Sequence, residues 1–220
     1  MYTLFAAPGS CSRVPLITLE EAQVPFELRL VRFMRGEHKQ ADYLAMNPKG
    51  KVPCLVTKDG PVTENIAIAR FLADRHDGLL PVAKTPIEDA RITADLAFCG
   101  TTLHPLVSRM RVPMFMADGK DAIASVKAKA IDAMHPMARV VEGQLGRSEW
   151  WYGDDWSIVD AYIYWVFFRI IGVGFPTEAY PAWSDHARRM ANRPSVKRAL
   201  EKEAALQATL EAEGLAPFGG

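Results

Sequence analysis

The sequence predicts a small α/β unit followed by a longer all-α region. Strand-like and helical stretches alternate up to about residue 77, and beyond that point only helical periodicity remains. A segment with two prolines, residues 78–87, separates the two parts. We therefore predict a first domain over residues 1–77, a linker over 78–87 and an all-helical domain over 88–220.

The elements of the first part alternate in a way typical of a mixed sheet with helices. An apolar run ends at a Pro-Gly pair, alternating residues over 26–30 predict a half-buried strand, and Asp59-Gly60 between two strand-like runs predicts a hairpin. The predicted elements are a strand over 2–7, a helix after Ser12, a strand over 26–30, a short helix near 38–45, strands over 52–57 and 61–63, and a helix over 65–75.

The second part shows helical periodicity throughout. Ser157 and Asp160 form the pattern of a capping box before a run that is apolar on nearly every face, which predicts a helix at the centre of the domain. This run is too short to cross a bilayer comfortably. The predicted helices cover residues 87–110, 121–145, 158–171, 181–191 and 195–210.

Charge and cysteine content exclude several classes of function. Lys plus Arg equals Asp plus Glu at 26 each, so no overall field favours nucleic acid or an acidic membrane surface. Cys11, Cys54 and Cys99 are far apart and show no metal-ligand spacing, so we expect no metal site. The first residues lack the pattern of a secretory signal, and free thiols suit a reducing compartment. We expect a soluble cytoplasmic protein.

The first chemical motif is Cys11, in the turn between the first strand and the first helix. A cysteine at a helix N-terminus is near unpaired backbone N–H groups and the positive end of the helix dipole, which favour the thiolate. No second cysteine follows at thioredoxin spacing, so chemistry on an external thiol is favoured over dithiol exchange. The alternative is that Cys11 is a small buried apolar residue.

The second motif is Val52-Pro53. A cis bond here would turn the backbone N–H and C=O of Val52 outward, where a peptide can pair with them. The alternative is a proline that only begins an edge strand.

The third motif is Glu64-Asn65, before the helix over 65–75. Asn65 is a good N-cap, and the N–H groups of a helix start can bind a carboxylate. Glu64 beside it could bind an ammonium group. Together they suit the end of an α-amino acid, such as a γ-glutamyl group, although a simple capped helix explains the same residues.

In their order and spacing these motifs resemble the cytosolic glutathione S-transferases, most closely the bacterial beta class. The resemblance spans residues 1 to about 205. It is carried by residues 8–12, 47–53, 63–68, 152–154 and 157–160.

The resemblance implies a thioredoxin-like first domain that binds glutathione as co-substrate, without a metal. It implies a homodimer that acts in detoxification, and the balanced charge leads us to expect no nucleic-acid or membrane partner. His104 falls on a histidine close to the glutathione sulfur, and which of Cys11 and Ser10 serves the thiol stays open. Family members usually have Ser at the position of Asn65. The implied catalytic residues are Cys11, Ser10 and His104, and the implied glutathione-binding residues are Arg35 (glycyl carboxylate), Val52, Pro53, Glu64 and Asn65.

A pocket for a small hydrophobic electrophile is expected in the helical domain. Aromatic side chains suit such a pocket, and arginines suit an anionic or carbonyl-bearing substrate. Ordinary core or dimer surface is the alternative for each residue. The candidates are Arg109, Arg111, Phe115 and Trp165.

We therefore predict a glutathione transferase that activates the glutathione thiol for attack on an electrophile. The alternatives are a glutathione-dependent isomerase that resembles maleylacetoacetate isomerase, a thiol-disulfide exchange enzyme, and a non-catalytic binding or scaffold protein on the same fold.

Overall fold

A computed structural model describes residues 1–215 of the chain. The contacts divide it into two compact units, Met1–Leu79 with the chain from Asn192 onward, and Leu80–Ala191. In chain order the elements are β1 (Tyr2–Ala6), α1 (Arg13–Glu21), β2 (Phe26–Leu30), α2 (Ala41–Met46), β3 (Cys54–Thr57), β4 (Gly60–Thr63), α3 (Asn65–Ala73), α4 (Pro86–Ala97), α5 (His104–Arg111), α6 (Lys120–Leu145), α7 (Ile158–Ile171), α8 (Pro181–Asn192) and α9 (Pro194–Ala212).

The first unit is built on a four-stranded sheet in the order β2-β1-β3-β4. β1 pairs in parallel with β2 and antiparallel with β3, and β3 forms the predicted hairpin with β4. This confirms the mixed sheet and the thioredoxin-like fold. The strand predicted over 52–57 begins at Cys54, because Val52-Pro53 lies outside the ladder.

Fully buried aliphatic side chains from the sheet and the helices form the core of this unit. They include Leu4 in β1, Leu55 in β3, Ile17 in α1 and Ile68 in α3. Because β1 and β3 are hydrogen-bonded neighbours, the loop that leaves β1 and the loop that enters β3 lie side by side. This topology brings the Cys11 loop next to Val52.

The last helix, α9, belongs to this first unit and packs against α1. The sequence pattern predicts the helix but places it in the helical domain, because periodicity reveals a buried face and not its partner. The buried residues of α9 include the charged Glu203. The assignment of a glutathione-binding and a substrate-binding domain concerns function and stays a prediction.

The second unit is all-helical, as predicted. The helix predicted over 87–110 is α4 and α5 joined by a π-helical segment, Phe98–Leu103, an irregularity that periodicity does not reveal. α7 carries the predicted capping box of Ser157 and Asp160, and most of its side chains are buried. Among residues 1–215, no helix has the length and apolar character needed to span a membrane.

The capping box makes a testable contribution to stability. We expect Ser157→Ala to lower the free energy of unfolding by about 0.5–2 kcal/mol, the usual range for a lost N-cap hydroxyl. The Ser157 hydroxyl and backbone N–H both donate to the buried Asp160 carboxylate, at 2.8 and 2.9 Å. Denaturant unfolding measures the change, with Ser125→Ala on an exposed position of α6 as control. Equal stabilities for the two variants would contradict this role.

Candidate functional site

The loop after β1 is held by two serine hydroxyls. Ser10 Oγ donates to the carbonyl of Ala7 at 2.7 Å and lies 2.5 Å from Ser12 Oγ. Ser12 Oγ accepts the backbone N–H of Ala7 at 3.1 Å and is buried. Both hydroxyls therefore stabilise the conformation of the loop. Cys11 lies between these serines in the sequence, and its thiol is half-buried.

The Cys11 thiol lies beside the second motif. Its Sγ is 3.6 Å from the carbonyl oxygen of Val52, and the Val52-Pro53 peptide bond is cis, as expected. The carbonyl of the preceding Lys51 accepts hydrogen bonds from the Tyr43 hydroxyl and the Asn47 amide, both at 2.7 Å. These contacts hold the Val52 backbone next to the sulfur.

The turn before Val52 depends on a close backbone approach at Gly50. Its φ is +58°, and a Cβ there would lie 2.9 Å from the carbonyl oxygen of His38. Only glycine fits this conformation without displacing the neighbouring chain. Asn47, fully buried, begins the turn and accepts the backbone N–H of Lys49 at 3.2 Å.

The third motif also lies beside Cys11, but Asn65 does not have the predicted N-cap role. Asn65 is not the N-cap of α3 but its first residue, and Glu64 occupies the cap position. The Asn65 side-chain amide instead donates to the carbonyl of Cys11 at 3.2 Å, which ties the start of α3 to the Cys11 loop. Its buried Oδ1 has no hydrogen-bond partner within residues 1–215.

Glu64 has a strained backbone and an exposed carboxylate. Its φ of 73° and ψ of 128° form a conformation that L-residues rarely adopt, and such strain tends to occur at functional sites. Its carboxylate forms an ion pair with Lys49 at 2.8 Å. A negative charge is therefore held at the start of α3 beside Asn65.

Cys11, Val52 and Asn65 thus form one cluster, which we call the cradle. It combines a half-buried thiol, a backbone segment outside the sheet ladder, and the start of a helix whose first N–H groups lack intrahelical partners. Such a cluster can bind an extended peptide with a carboxylate at one end and bring a sulfur atom to Cys11.

Arg35 lies in a 3₁₀ turn, Phe33–Arg35, and its guanidinium is engaged by another part of the unit. Its Nη2 is 3.0 Å from a carboxylate oxygen of Glu213, just beyond α9. The structure therefore pairs this predicted glycyl-carboxylate ligand with an internal carboxylate.

Two residues near the cradle carry no distinctive sequence signal. His38 Nδ1 is buried and has no hydrogen-bond partner in the described part of the chain. Burial, with the positive charges of Lys39 and Lys51, holds the pKa of His38 below its usual value. Lys49, the partner of Glu64, lies in an Asn-Pro-Lys-Gly segment that predicts only a turn.

In the second unit, His104 belongs to an aromatic cluster. Its Nδ1 is 2.9 Å from the Tyr162 hydroxyl, and its ring lies 4.6 Å from that of Trp165, centroid to centroid. Trp165 is buried. The hydrogen bond at Nδ1 fixes the orientation of the imidazole ring.

The other candidates for an electrophile pocket differ in exposure. Arg109 and Phe115 are exposed, whereas Arg111 is partly buried and lies against Gly172. Burial lowers the pKa of Arg111 from its ordinary value. The structure thus brings Trp165 to His104, and a shared cavity of these residues stays a prediction.

The cysteines divide into one accessible and two buried thiols. Burial raises the pKa of Cys54 to about 11 and raises the pKa of Cys99 well above its ordinary value. No cluster of three or more metal-ligating side chains is found among residues 1–215.

Comparison with known proteins gives consistent similarities. Residues 1–74 match the glutathione S-transferase N-terminal domain. Glutathione S-transferase GstA of Escherichia coli O157:H7 is 32% identical over 204 residues, covering 91% of this chain and 98% of that protein. A glutathione transferase homologue from Sulfitobacter, solved with bound glutathione, is 30% identical with a TM-score of 0.82, covering 92% of this chain and 98% of that one. A beta class enzyme from Sphingomonas chungbukensis is 30% identical with a TM-score of 0.79, covering 91% and 98%.

Proposed function

Because this chain belongs to the glutathione S-transferase family, we propose that the cradle binds glutathione and activates its thiol for attack on a small hydrophobic electrophile. The observation that carries the proposal is the convergence of three separate motifs. The Cys11 sulfur lies 3.6 Å from the Val52 carbonyl, and the Cys11 carbonyl accepts the Asn65 amide at 3.2 Å. This arrangement suits a thiol-bearing peptide with a γ-glutamyl end.

The peptide is proposed to bind as an added strand. Its cysteinyl backbone pairs with Val52, before Pro53, in the manner of β-augmentation. Its γ-glutamyl carboxylate binds the first N–H groups of α3 and Asn65, and its ammonium group binds Glu64. The Lys49 ammonium pairs with the Glu64 carboxylate at 2.8 Å. The ammonium group of the ligand would replace that of Lys49 as the partner of Glu64.

The chemistry is a nucleophilic displacement by the glutathione sulfur. The thiol releases its proton to solvent, the sulfur lone pair forms a bond to the electrophilic carbon, and the leaving group departs with its electron pair. We propose that Cys11, and not Ser10, lies beside the glutathione sulfur. The Ser10 hydroxyl already holds the loop through its contacts with Ala7 and Ser12.

Thiol-disulfide exchange is a second candidate, favoured by the half-buried thiol of Cys11. In this reaction the Cys11 thiolate attacks one sulfur of glutathione disulfide. A mixed disulfide forms at Cys11, and the other glutathione leaves as a thiolate. The same cradle would hold the bound half of the disulfide.

The wider setting of the enzyme follows from the family resemblance. We propose a beta-class enzyme that acts as a homodimer in the cytoplasm, in detoxification, with an electrophile pocket at Arg109, Arg111, Phe115 and Trp165. Light scattering on the purified protein tests the dimer.

Titration calorimetry with glutathione tests the proposed site. We expect saturable binding at one site per chain, and Glu64→Gln is expected to weaken it about tenfold, because a charge-assisted contact to the ammonium group is lost. Asp59→Asn, on the exposed hairpin turn, is the matched control and should bind as the wild type does. Absence of heat with the wild type would refute glutathione binding, and equal binding by Glu64→Gln would refute the placement of the ammonium group.

A further inference from the structure

An ion-pair network joins the end of α9 to the turn that carries Arg35. The Glu213 carboxylate accepts hydrogen bonds from Nε and Nη2 of Arg32 at 2.8 and 2.7 Å and lies 3.0 Å from Nη2 of Arg35. The backbone N–H of Arg32 donates to Glu37 at 2.7 Å. One carboxylate from beyond α9 therefore binds two guanidinium groups.

Glu213 is the C-cap residue of α9. Gly214, which follows this C-cap, has a φ of 70°, and the backbone N–H of Leu215 donates to the carbonyl of Leu210 at 2.8 Å, a Schellman-type ending. The hydrogen bonds from Arg32 hold the pKa of Glu213 below its ordinary value, so the carboxylate is ionised at neutral pH. A fixed negative charge therefore stands beside Arg35.

The contact orders Arg35 without using all of its donors. A guanidinium has five N–H groups, and Glu213 engages Arg35 through Nη2. Arg35 is long, half-exposed and carried on a three-residue turn, so an unrestrained side chain would have to be ordered when a ligand binds. The bidentate contact of Glu213 goes to Arg32. Within residues 1–215 the contact of Arg35 with Glu213 is made by Nη2, so Nε and Nη1 can donate to a second carboxylate.

We propose that Glu213 is a positioning residue for glutathione, which holds Arg35 in the orientation that receives the glycyl carboxylate. This inference rests on the proposed glutathione site and extends it to the chain beyond α9. The opposite effect, in which Glu213 competes with the glycyl carboxylate for Arg35, is disfavoured because Glu213 binds Arg32 through both Nε and Nη2 but binds Arg35 through Nη2.

The test compares two substrates that differ only at the glycyl carboxylate: glutathione and its glycyl monoethyl ester. Glu213→Gln is expected to raise the KM for glutathione about fivefold at unchanged kcat, because an ordered charge partner of Arg35 is lost. The KM for the ester should stay at the wild-type value, since the ester has no glycyl carboxylate. Glu201→Gln, on an exposed position of α9, is the matched control, and thermal unfolding verifies that each variant is folded.

Three results would overturn the inference. A lower KM for glutathione in Glu213→Gln would show that Glu213 competes with the glycyl carboxylate for Arg35. An equal rise in KM for glutathione and for the ester would show a structural role. An unchanged KM for glutathione would show that Glu213 has no role in binding it. In an Arg35→Ala background, Glu213→Gln should have no further effect on KM, and an additional rise would also contradict the coupling. No saturable use of either compound by the wild type would refute the proposed function itself, and this inference with it.

Discussion

Replacing Glu203 with alanine is expected to destabilise the protein by roughly 3–5 kcal/mol, the usual cost of removing one partner of a buried ion pair. The Glu203 carboxylate accepts hydrogen bonds from Nε of Arg13 at 3.0 Å and from the backbone N–H of Gly9 at 2.9 Å. Both side chains of the pair are nearly inaccessible, with 6% of Arg13 and 11% of Glu203 exposed. The change would remove the Glu203 carboxylate that accepts from Nε and Nη2 of the buried Arg13 guanidinium.

The same change is expected to disturb the site, because Gly9 and Arg13 flank the Cys11 loop on both sides. Denaturant unfolding measures the change in stability. A rise in the KM for glutathione would report a disturbed Cys11 loop. Glu201→Ala on the exposed side of α9 is the control for helix composition. The double variant Arg13→Met with Glu203→Met should recover most of the lost stability, since no charge is left buried. If Glu203→Ala is as stable as Glu201→Ala, the ion pair does not hold this loop.

Replacing Cys11 with alanine is expected to slow mixed-disulfide formation with glutathione disulfide by at least about a hundredfold. The attacking species is the Cys11 thiolate, and alanine has no sulfur atom. The other two thiols cannot take over the reaction. Cys54 is fully buried and has a pKa of about 11, so roughly one molecule in ten thousand would carry its thiolate at pH 7. Cys99 is also buried, with a raised pKa.

Mass spectrometry of the intact protein measures this reaction as the gain of one glutathione. The wild type should gain one and Cys11→Ala none, and a thiol reagent should find one fast-reacting cysteine in the native wild type. Cys99→Ala is the control and should exchange as the wild type does. Exchange by Cys11→Ala at the wild-type rate would exclude Cys11 as the reacting thiol.

Local patterns in the sequence predict most of the fold. The Asp59-Gly60 turn predicts the β3-β4 hairpin, and Ser157 with Asp160 predicts the start of α7, because each signal lies within the element that it forms. The family motifs point to the cis bond before Pro53 and to the cluster around Cys11.

Contacts between distant parts of the chain could not be predicted in this way. The side chain of Asn65 could cap α3 locally, but it bonds the Cys11 carbonyl instead. Glu203 reads in the sequence as an ordinary helical charge, yet it is buried against Arg13 because α9 packs on α1. Glu213 likewise gains its role from Arg35, far away in the chain. A periodic pattern specifies which face is buried, and only the fold specifies the partner.

A crystal structure of the protein with glutathione tests the central claim most directly. We expect the cysteinyl N–H and C=O of the peptide to pair with the backbone of Val52, its γ-glutamyl end to lie at Glu64 and Asn65, and its sulfur to lie next to Cys11 Sγ. Glutathione bound elsewhere, or bound with its sulfur directed away from the Cys11 loop, would contradict the account.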